Sequence, residues 1–302
     1  MTFEMPLVSV LMTAYNRQNY ISEAVESVLS STYKNFELII VDDCSSDNTA
    51  AIAKDFEKKD NRVMVYVNEK NLGDYANRNK AASFAKGKYL KYLDSDDYMY
   101  PHSLEIMVEY MQAHADVALA FCDHVIQDDA TIYPIKYFPD EAYKIHFLKG
   151  GLFHAGPGGT ILSREKFDEE GGFAETRFLS DTDLIMRLAL KHPILKIQPA
   201  LIWWRIHQHQ EMEFEKKNHQ VLGARYNLSV KYLNKSNLSP DEKKAALHIL
   251  KKMLTRNIFK LVFKKRISAA RKVYKNVGLN FQDFLIAFNF SGKLKRKLKL
   301  RQ

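Results

Sequence analysis

Within the first hundred residues, four short apolar runs alternate with stretches of helical periodicity. This alternation constrains the fold more than any other feature of the chain. Leu7–Thr13, Phe36–Val41, Val63–Val67 and Tyr89–Leu93 are rich in β-branched and aromatic residues and have strand length. Between the first two, Ile21, Ala24, Val25, Val28 and Leu29 recur along one helical face. Asp47 reads as the N-cap of a second helix carrying Ile52, Ala53 and Phe56. A third helix is expected from about Asp74 to Ala85, with Gly87 stopping it before the fourth strand. The order βαβαβαβ predicts an α/β fold: a mostly parallel, Rossmann-like sheet flanked by helices on both faces.

Ligands of such sheets bind beyond the carboxyl ends of the strands. Thr13–Arg17, Asp42-Asp43 and Asp94-Ser95-Asp96-Asp97 all follow strands, so all are expected along one edge. Three acids within four residues repel one another, and a divalent cation with oxygen ligands removes that repulsion. A solvated acidic turn, or a cap cluster before Pro101, is the alternative for this stretch. No G-x-G-x-x-G follows the first strand, and no G-x-x-x-x-G-K-[ST] occurs anywhere. A standard dinucleotide site and a P-loop hydrolase are therefore set aside.

Beyond residue 100 the signals are more widely spaced. A helix is expected from Pro101 to about His114, and a strand over Val117–Cys122. Asp128-Asp129 reads as the turn of a hairpin, and Gly156–Gly159 as a flexible turn before a Thr160–Ser163 strand. Asp181 to about Leu190 has helical periodicity, and Leu201–His207 reads as a late strand with a basic tip. From about Glu211 the pattern is helical to the end.

Five segments stand out: VSVLMTAYNR at Val8–Arg17, LIIVDDCSSD at Leu38–Asp47, NLGDYANRN at Asn71–Asn79, GKYLKYLDSDD at Gly87–Asp97 and GGFAETRFLSDTDLIMRL at Gly171–Leu188. Taken together they resemble the family 2 glycosyltransferases of the GT-A fold. The resemblance covers about Pro6 to His209. It implies one catalytic domain over residues 1–210, with a nucleotide-sugar-binding half (1–122) and an acceptor-binding half (123–210). Residues 211–302 then form a helical C-terminal extension. It also implies an inverting transfer from a nucleoside-diphosphate sugar with Mg²⁺ or Mn²⁺. Two departures stand out: Cys44 where many members have Gly after the paired acids, and Ser180-Asp181 where many have Glu-Asp.

The resemblance assigns roles residue by residue. Asp42 and Arg78 would face the base of the nucleotide; a turn carboxylate and a surface ion pair are their bland readings. Thr13, Ala14, Tyr15 and Arg17 would line the nucleoside and phosphate floor. Asp96 would be the first metal ligand. Asp94, with Ser95 beside it, would meet the ribose or a metal-bound water. Asp97 is expected to be structural, capping the helix near Pro101. His207, in Arg205-Ile206-His207, is either a further metal ligand or a hydrogen-bond donor, and His209 is expected to be exposed. Asp181 matches the position of the general base, against the reading that it only caps its helix; Asp183 is expected to be structural. Trp203 and Trp204 either stack on a sugar or split between core and rim.

Charge is divided unevenly. From Asp241 to Gln302 there are 18 Lys and Arg against 3 acids, whereas the preceding residues carry 27 against 33. Basic amphipathic helices favour anionic membrane surfaces. No aromatic base-stacking module accompanies this charge, so nucleic acid is not the expected partner. Two cysteines, Cys44 and Cys122, imply no disulfide framework and a reducing compartment. Neither a signal peptide nor a spanning run of about 20 apolar residues is expected. The expectation is a cytoplasmic enzyme, peripheral at the inner face of the cell membrane. It would transfer sugar from a UDP-sugar to a glycan or lipid-linked glycan in envelope or exported polysaccharide synthesis. Its rivals are a sugar-phosphate nucleotidyltransferase and a non-catalytic nucleotide-sugar or glycan-binding scaffold.

Overall fold

In the computed structural model of the protein, which describes residues 5–122, 132–176, 178–207 and 220–279, the four apolar runs are parallel strands. They are β1 (Val8–Ala14), β2 (Phe36–Asp42), β3 (Val63–Val67) and β4 (Tyr89–Asp94). β1 lies between β2 and β4, so Thr13 is flanked by Val41 and Asp94. Helices α1 (Ile21–Leu29), α2 (Thr49–Glu57) and α3 (Asp74–Ser83) make the crossovers. β1, β2 and β4 are almost wholly buried, which is why they read as continuous apolar runs rather than alternating ones.

The short strand β5 (Tyr98–Met99) and helix α4 (Ser103–Ala113) follow the acidic stretch. Then come β6 (Leu119–Phe121), β7 (Ile135–Tyr137), β8 (Thr160–Ser163), β9 (Ile194–Lys196) and β10 (Ile202–Trp203). The large sheet has the order β3-β2-β1-β4-β8-β6-β9-β7, and β10 pairs separately with β5. β8 runs antiparallel to both β4 and β6, so the sheet changes direction just where the run of parallel strands ends. Helix α5 (Pro139–Ile145) runs into a π turn at His146–Gly150, and α6 (Arg164–Glu169) and α7 (Ser180–Lys191) flank the glycine pair Gly171-Gly172.

Several boundaries differ from expectation. Ala14 belongs to β1 rather than to the loop after it. The fifth apolar run forms a strand only over Leu119–Phe121, although Val117, Ala118 and Cys122 are also buried. The late strand is two residues long because its partner β5 is equally short; the chain then leaves the ladder toward Asp97. Asp47 is one residue short of the N-cap position, held by Asn48. Its carboxylate still accepts the first helical N–H, from Thr49, at 2.9 Å. Gly156–Gly159 is no loose turn: Pro157–Gly159 is a 3₁₀ turn, and a Cβ on Gly159 would lie 2.8 Å from the Cys122 carbonyl. Both cysteines are free thiols, Cys44 exposed and Cys122 buried. The Asp128-Asp129 turn, His209 and the basic run at Lys293–Arg301 lie outside the described residues.

The chain divides into two compact units. One holds residues up to Ala142 together with Leu152–His207; the other joins Tyr143–Gly151 to the later helices. Those are α8 (Gln220–Lys235), α9 (Pro240–Phe263) and α10 (Ile267–Val277). α9 starts at a full capping box: Ser239 accepts from Glu242 N–H, and the Glu242 carboxylate accepts from Ser239 N–H. Among the described residues no helix is long and apolar enough to cross a membrane.

Candidate active site

The strand ends bring most of the expected side chains together. Asp96 has one carboxylate oxygen, Oδ2, 2.9 Å from Arg17 Nε and 2.9 Å from His207 Nε2. These three residues come from the end of β1, the end of β4 and the segment after β10. The His207 ring stacks on Tyr20 at 4.7 Å between centroids, which fixes its plane. Arg78 is buried on α3 and donates to Asp74 at 2.9 Å and to Asp94, two residues before Asp96, at 2.6 Å. Arg78 therefore bridges its own helix to the acidic motif. Thr13 neighbours Asp94 in the β1–β4 register, Tyr15 is half exposed, and Ser95 is buried.

Asp42 departs from its expected setting. It is fully buried, and its two oxygens accept the N–H and hydroxyl of Ser45 at 2.9 and 2.6 Å. Asp43 is equally enclosed: it accepts from Asn68, Leu72 N–H and Gly73 N–H, and so pins the Asn71-Leu72-Gly73 turn that starts α3. Cys44, directly after them, has a left-handed φ of 63°, the conformation that favours glycine. A glycine, the commoner residue here in the family that the sequence resembles, would meet this backbone without strain.

Asp97 is structural in another way than expected. α4 starts at Ser103, and Asp97 instead accepts the backbone N–H of Arg205 at 3.0 Å. Burial, reinforced by the charge of Asp94, pushes its carboxyl up to about 8. Lys91 was legible only as one residue of a strand. It is fully buried, donates to the carbonyls of Tyr92 and Gly158, and so ties β4 to the 3₁₀ turn. Burial pushes its ammonium down to about 8.

Asp181 lies in the first turn of α7, with Leu179 rather than Asp181 at the N-cap position. The segment leading to this helix is tied to α3 by a chain of contacts. Asn79, next to Arg78, bonds both the N–H and the carbonyl of Phe173, at 2.9 and 2.8 Å. A Cβ on Gly172 would lie 2.6 Å from Asn79 Oδ1, and its φ is +71°, so only glycine fits there. Arg187 of α7 donates to the carbonyls of Glu170 and Gly172 and pairs with buried Asp183 at 2.8 Å. Asp183 is thus buried against its own helix rather than turned to an open cleft. Just before the helix, Phe178 adopts a φ of +66°, an outlier for a bulky residue.

Arg205 is the connector that sequence reading left unassigned. Its Nε donates to the Asp96 carbonyl at 2.8 Å, its Nη2 pairs with Glu23 at 2.6 Å, and its guanidinium lies over Tyr20 and Trp203. A cleft of about 480 Å³ is lined by Tyr20, Trp203, Trp204, Arg205, Ile206 and His207. The tryptophans split: Trp204 packs on the core and Trp203 is exposed at the rim. Arg205→Ala is expected to lower kcat/KM about thirtyfold, the equivalent of about 2 kcal/mol for charge-assisted bonds. Arg205→Lys should not restore it, because an ammonium cannot reproduce the stacked fork. Steady-state kinetics on the two variants checks this.

The sequence model described as glycosyl transferase family 2 matches residues 9–171, more than half of the chain. The chain belongs to glycosyltransferase family 2. An uncharacterised glycosyltransferase of Methanocaldococcus jannaschii is 39% identical over 49% of this chain and 51% of its own. TuaG of Bacillus subtilis, ascribed to teichuronic acid biosynthesis, is 45% identical over 37% of this chain and 44% of its own. The Escherichia coli glucosyltransferase WfaP, named as transferring from UDP-Glc to a GlcNAc-diphosphoundecaprenol, is 37% identical over 45% and 53%. The chain thus spans about half the length of these curated relatives. Among solved structures, S. aureus TarS 1-349 in complex with UDP-GlcNAc matches with a TM-score of 0.70 at 19% identity, over 93% of this chain and 81% of that one. The mannosyltransferase PcManGT from Pyrobaculum calidifontis, in complex with GDP-Man and Mn²⁺, matches at 0.61 and 15% identity, over 95% and 84%. The fold of the family 2 enzyme is therefore GT-A.

Proposed function

We propose that this glycosyltransferase moves a sugar from a UDP-sugar to a hydroxyl of a glycan or lipid-linked glycan, with inversion, in cell-envelope or exported polysaccharide synthesis. The observation that carries the reading is the Arg17–Asp96–His207 cluster at the carboxyl ends of β1 and β4, beside the Arg78–Asp94 pair. Thr13, Ala14, Tyr15 and Arg17 form the floor for the nucleoside and phosphates, and residues 1–122 the donor half. The acceptor half is 123–210, with Asp181 as its base and Trp203 as its rim. Asp42 serves the nucleotide by shaping the Ser45 turn, since its own oxygens are enclosed.

A divalent cation, Mg²⁺ or Mn²⁺, fits the donor set. Asp96 offers a hard oxygen ligand, His207 an imidazole, and Asp94 a second carboxylate 35% exposed. Among the described residues no three such side chains converge as a preformed cage. A cation of this kind characteristically takes one or two carboxylates and completes its shell with diphosphate and water. When bound, it neutralises charge on the departing diphosphate. Arg17 adds a fixed cation from the protein itself, and Asp181 takes the proton from the acceptor hydroxyl. One base and a direct displacement invert the anomeric centre, with no covalent intermediate.

Support for a UDP donor comes from the UDP-Glc enzyme among the relatives and the UDP-GlcNAc complex among the structures. Support for a lipid-linked acceptor comes from the diphosphoundecaprenol acceptor of the first. The basic C-terminal extension would hold the enzyme at an anionic membrane surface on the cytoplasmic side. Proton NMR of the product formed from an α-linked UDP-sugar tests the mechanism. A β-configured anomeric proton is expected, and an α-configured product would overturn inversion.

A further inference from the structure

The second unit carries a surface that the transfer reaction does not use. From Lys243 to Leu279 the sequence contains 12 Lys and Arg and no acid. At the corner between α9 and α10, Val262, Phe263, Lys264, Lys265, Arg266, Ile267 and Ser268 are all exposed. Phe263 is 83% exposed and Ile267 65%, against single-figure values for the neighbouring core residues Leu261 and Val273. Leu254, Ile258, Leu261, Ala270, Val273 and Leu279 form the core under this corner, so its inner face is already filled. The apolar side chains that point outward have no place in that core.

The backbone of the corner is closed on itself. Lys265 N–H bonds the Val262 carbonyl and Arg266 N–H bonds the Leu261 carbonyl, both at 2.9 Å. This is a Schellman motif, and its left-handed position, where glycine is favoured, is occupied by Lys265 at φ 57°. The chain keeps a cation there despite the strain. Satisfied backbone groups matter because an apolar medium offers none. An apolar tip ringed by cations, with its polar backbone enclosed, suits the boundary of a bilayer carrying anionic headgroups.

We infer that the α9–α10 corner is a membrane-insertion tip: Phe263, Ile267 and Val262 enter the interface of an anionic bilayer while Lys260, Lys264, Lys265, Arg266 and Arg271 pair with its headgroups. The inference rests on the membrane reading given under Proposed function and locates it. A polybasic tail alone needs only charge, whereas this corner adds buried apolar area.

The test is co-sedimentation of the full chain with vesicles of phosphatidylcholine containing phosphatidylglycerol, and with phosphatidylcholine alone. The natural chain should bind the anionic vesicles, and added salt should weaken that binding. Phe263→Ser combined with Ile267→Ser should lower the partition coefficient by about tenfold or more, with an unchanged circular dichroism melt. Phe263→Trp gives a second reading, since its emission should be quenched by brominated lipid beyond the quenching of the natural chain. If the natural chain binds and the double serine variant binds equally, with no extra quenching, the corner is not the tip and the charged tail carries the attachment. If the natural chain does not bind anionic vesicles at all, the membrane reading falls with it. If light scattering shows that the double variant only converts a dimer to a monomer, a second copy covers the corner and the inference is overturned.

Discussion

Asp181→Asn is expected to reduce sugar transfer by about 10² to 10⁴-fold while leaving UDP-sugar affinity nearly unchanged. The amide has the shape of the carboxylate but cannot take the acceptor proton. The surroundings of Asp181 favour a clean result. Its helix is held by Arg187, which grips the Glu170 and Gly172 carbonyls and Asp183, and none of these contacts passes through Asp181. At the helix start its Oδ1 accepts the Thr182 N–H at 2.6 Å, a bond that the amide oxygen of Asn can also accept. Loss of turnover in a variant that melts normally and binds donor normally would therefore report chemistry. Transfer retained within a few-fold would remove Asp181 from the role of base and leave it a first-turn acid that favours the helix dipole. Isothermal titration with the UDP-sugar and a radiolabelled transfer assay read the two quantities separately.

Asp96→Ala is expected to have the other large effect, on binding rather than on the proton. The substitution removes the carboxylate shared by Arg17 and His207 and leaves two nitrogen groups facing one another. Divalent-cation-dependent binding of UDP should fall about hundredfold or more, and transfer with it. Arg17 would still attract phosphate, so a weak, metal-independent affinity that declines with salt should persist. Titration of UDP with and without Mn²⁺, on the natural chain and the variant, checks this. Equal Mn²⁺ dependence in both proteins would assign the cation elsewhere.

How much of this was legible in the sequence depends on how local the cause is. The four parallel strands and their helices were readable because a buried strand and an amphipathic helix each impose a period over a few residues. The convergence of Arg17, Asp94 and Asp96 followed from a general rule about strand ends, with no knowledge of contacts, whereas Arg78, on a helix, was assigned only through the family resemblance. The errors arose where the cause is distant. Asp97 reads locally as a cap, but its partner is Arg205, 108 residues away. Lys91 reads as a lysine on a strand and is buried only because β8 and the turn before it cover that position. For Asp42 and Asp43 the sequence offers two adjacent acids, and only the Ser45 and Asn68 side chains decide which groups each can still reach. The late strand was overcalled because seven residues have strand composition and only two find a partner. The exposed corner after Phe263 was hidden for the opposite reason: a helical pattern does not reveal where one helix ends and the next turns away.

On the reading proposed for this enzyme, Asp96 and its partners form the divalent-cation-assisted site for a uridine-diphosphate sugar. The most direct measurement is a thermal-shift screen of UDP-, GDP- and TDP-sugars with Mn²⁺ and with chelator, on the natural chain and on Asp96→Ala. At about 100 times Kd a UDP-sugar with Mn²⁺ is expected to raise Tm by about 5 °C or more, and chelator or Asp96→Ala to remove most of the rise. A protein stabilised by none of these nucleotides, or stabilised equally after chelation and after loss of Asp96, would contradict it.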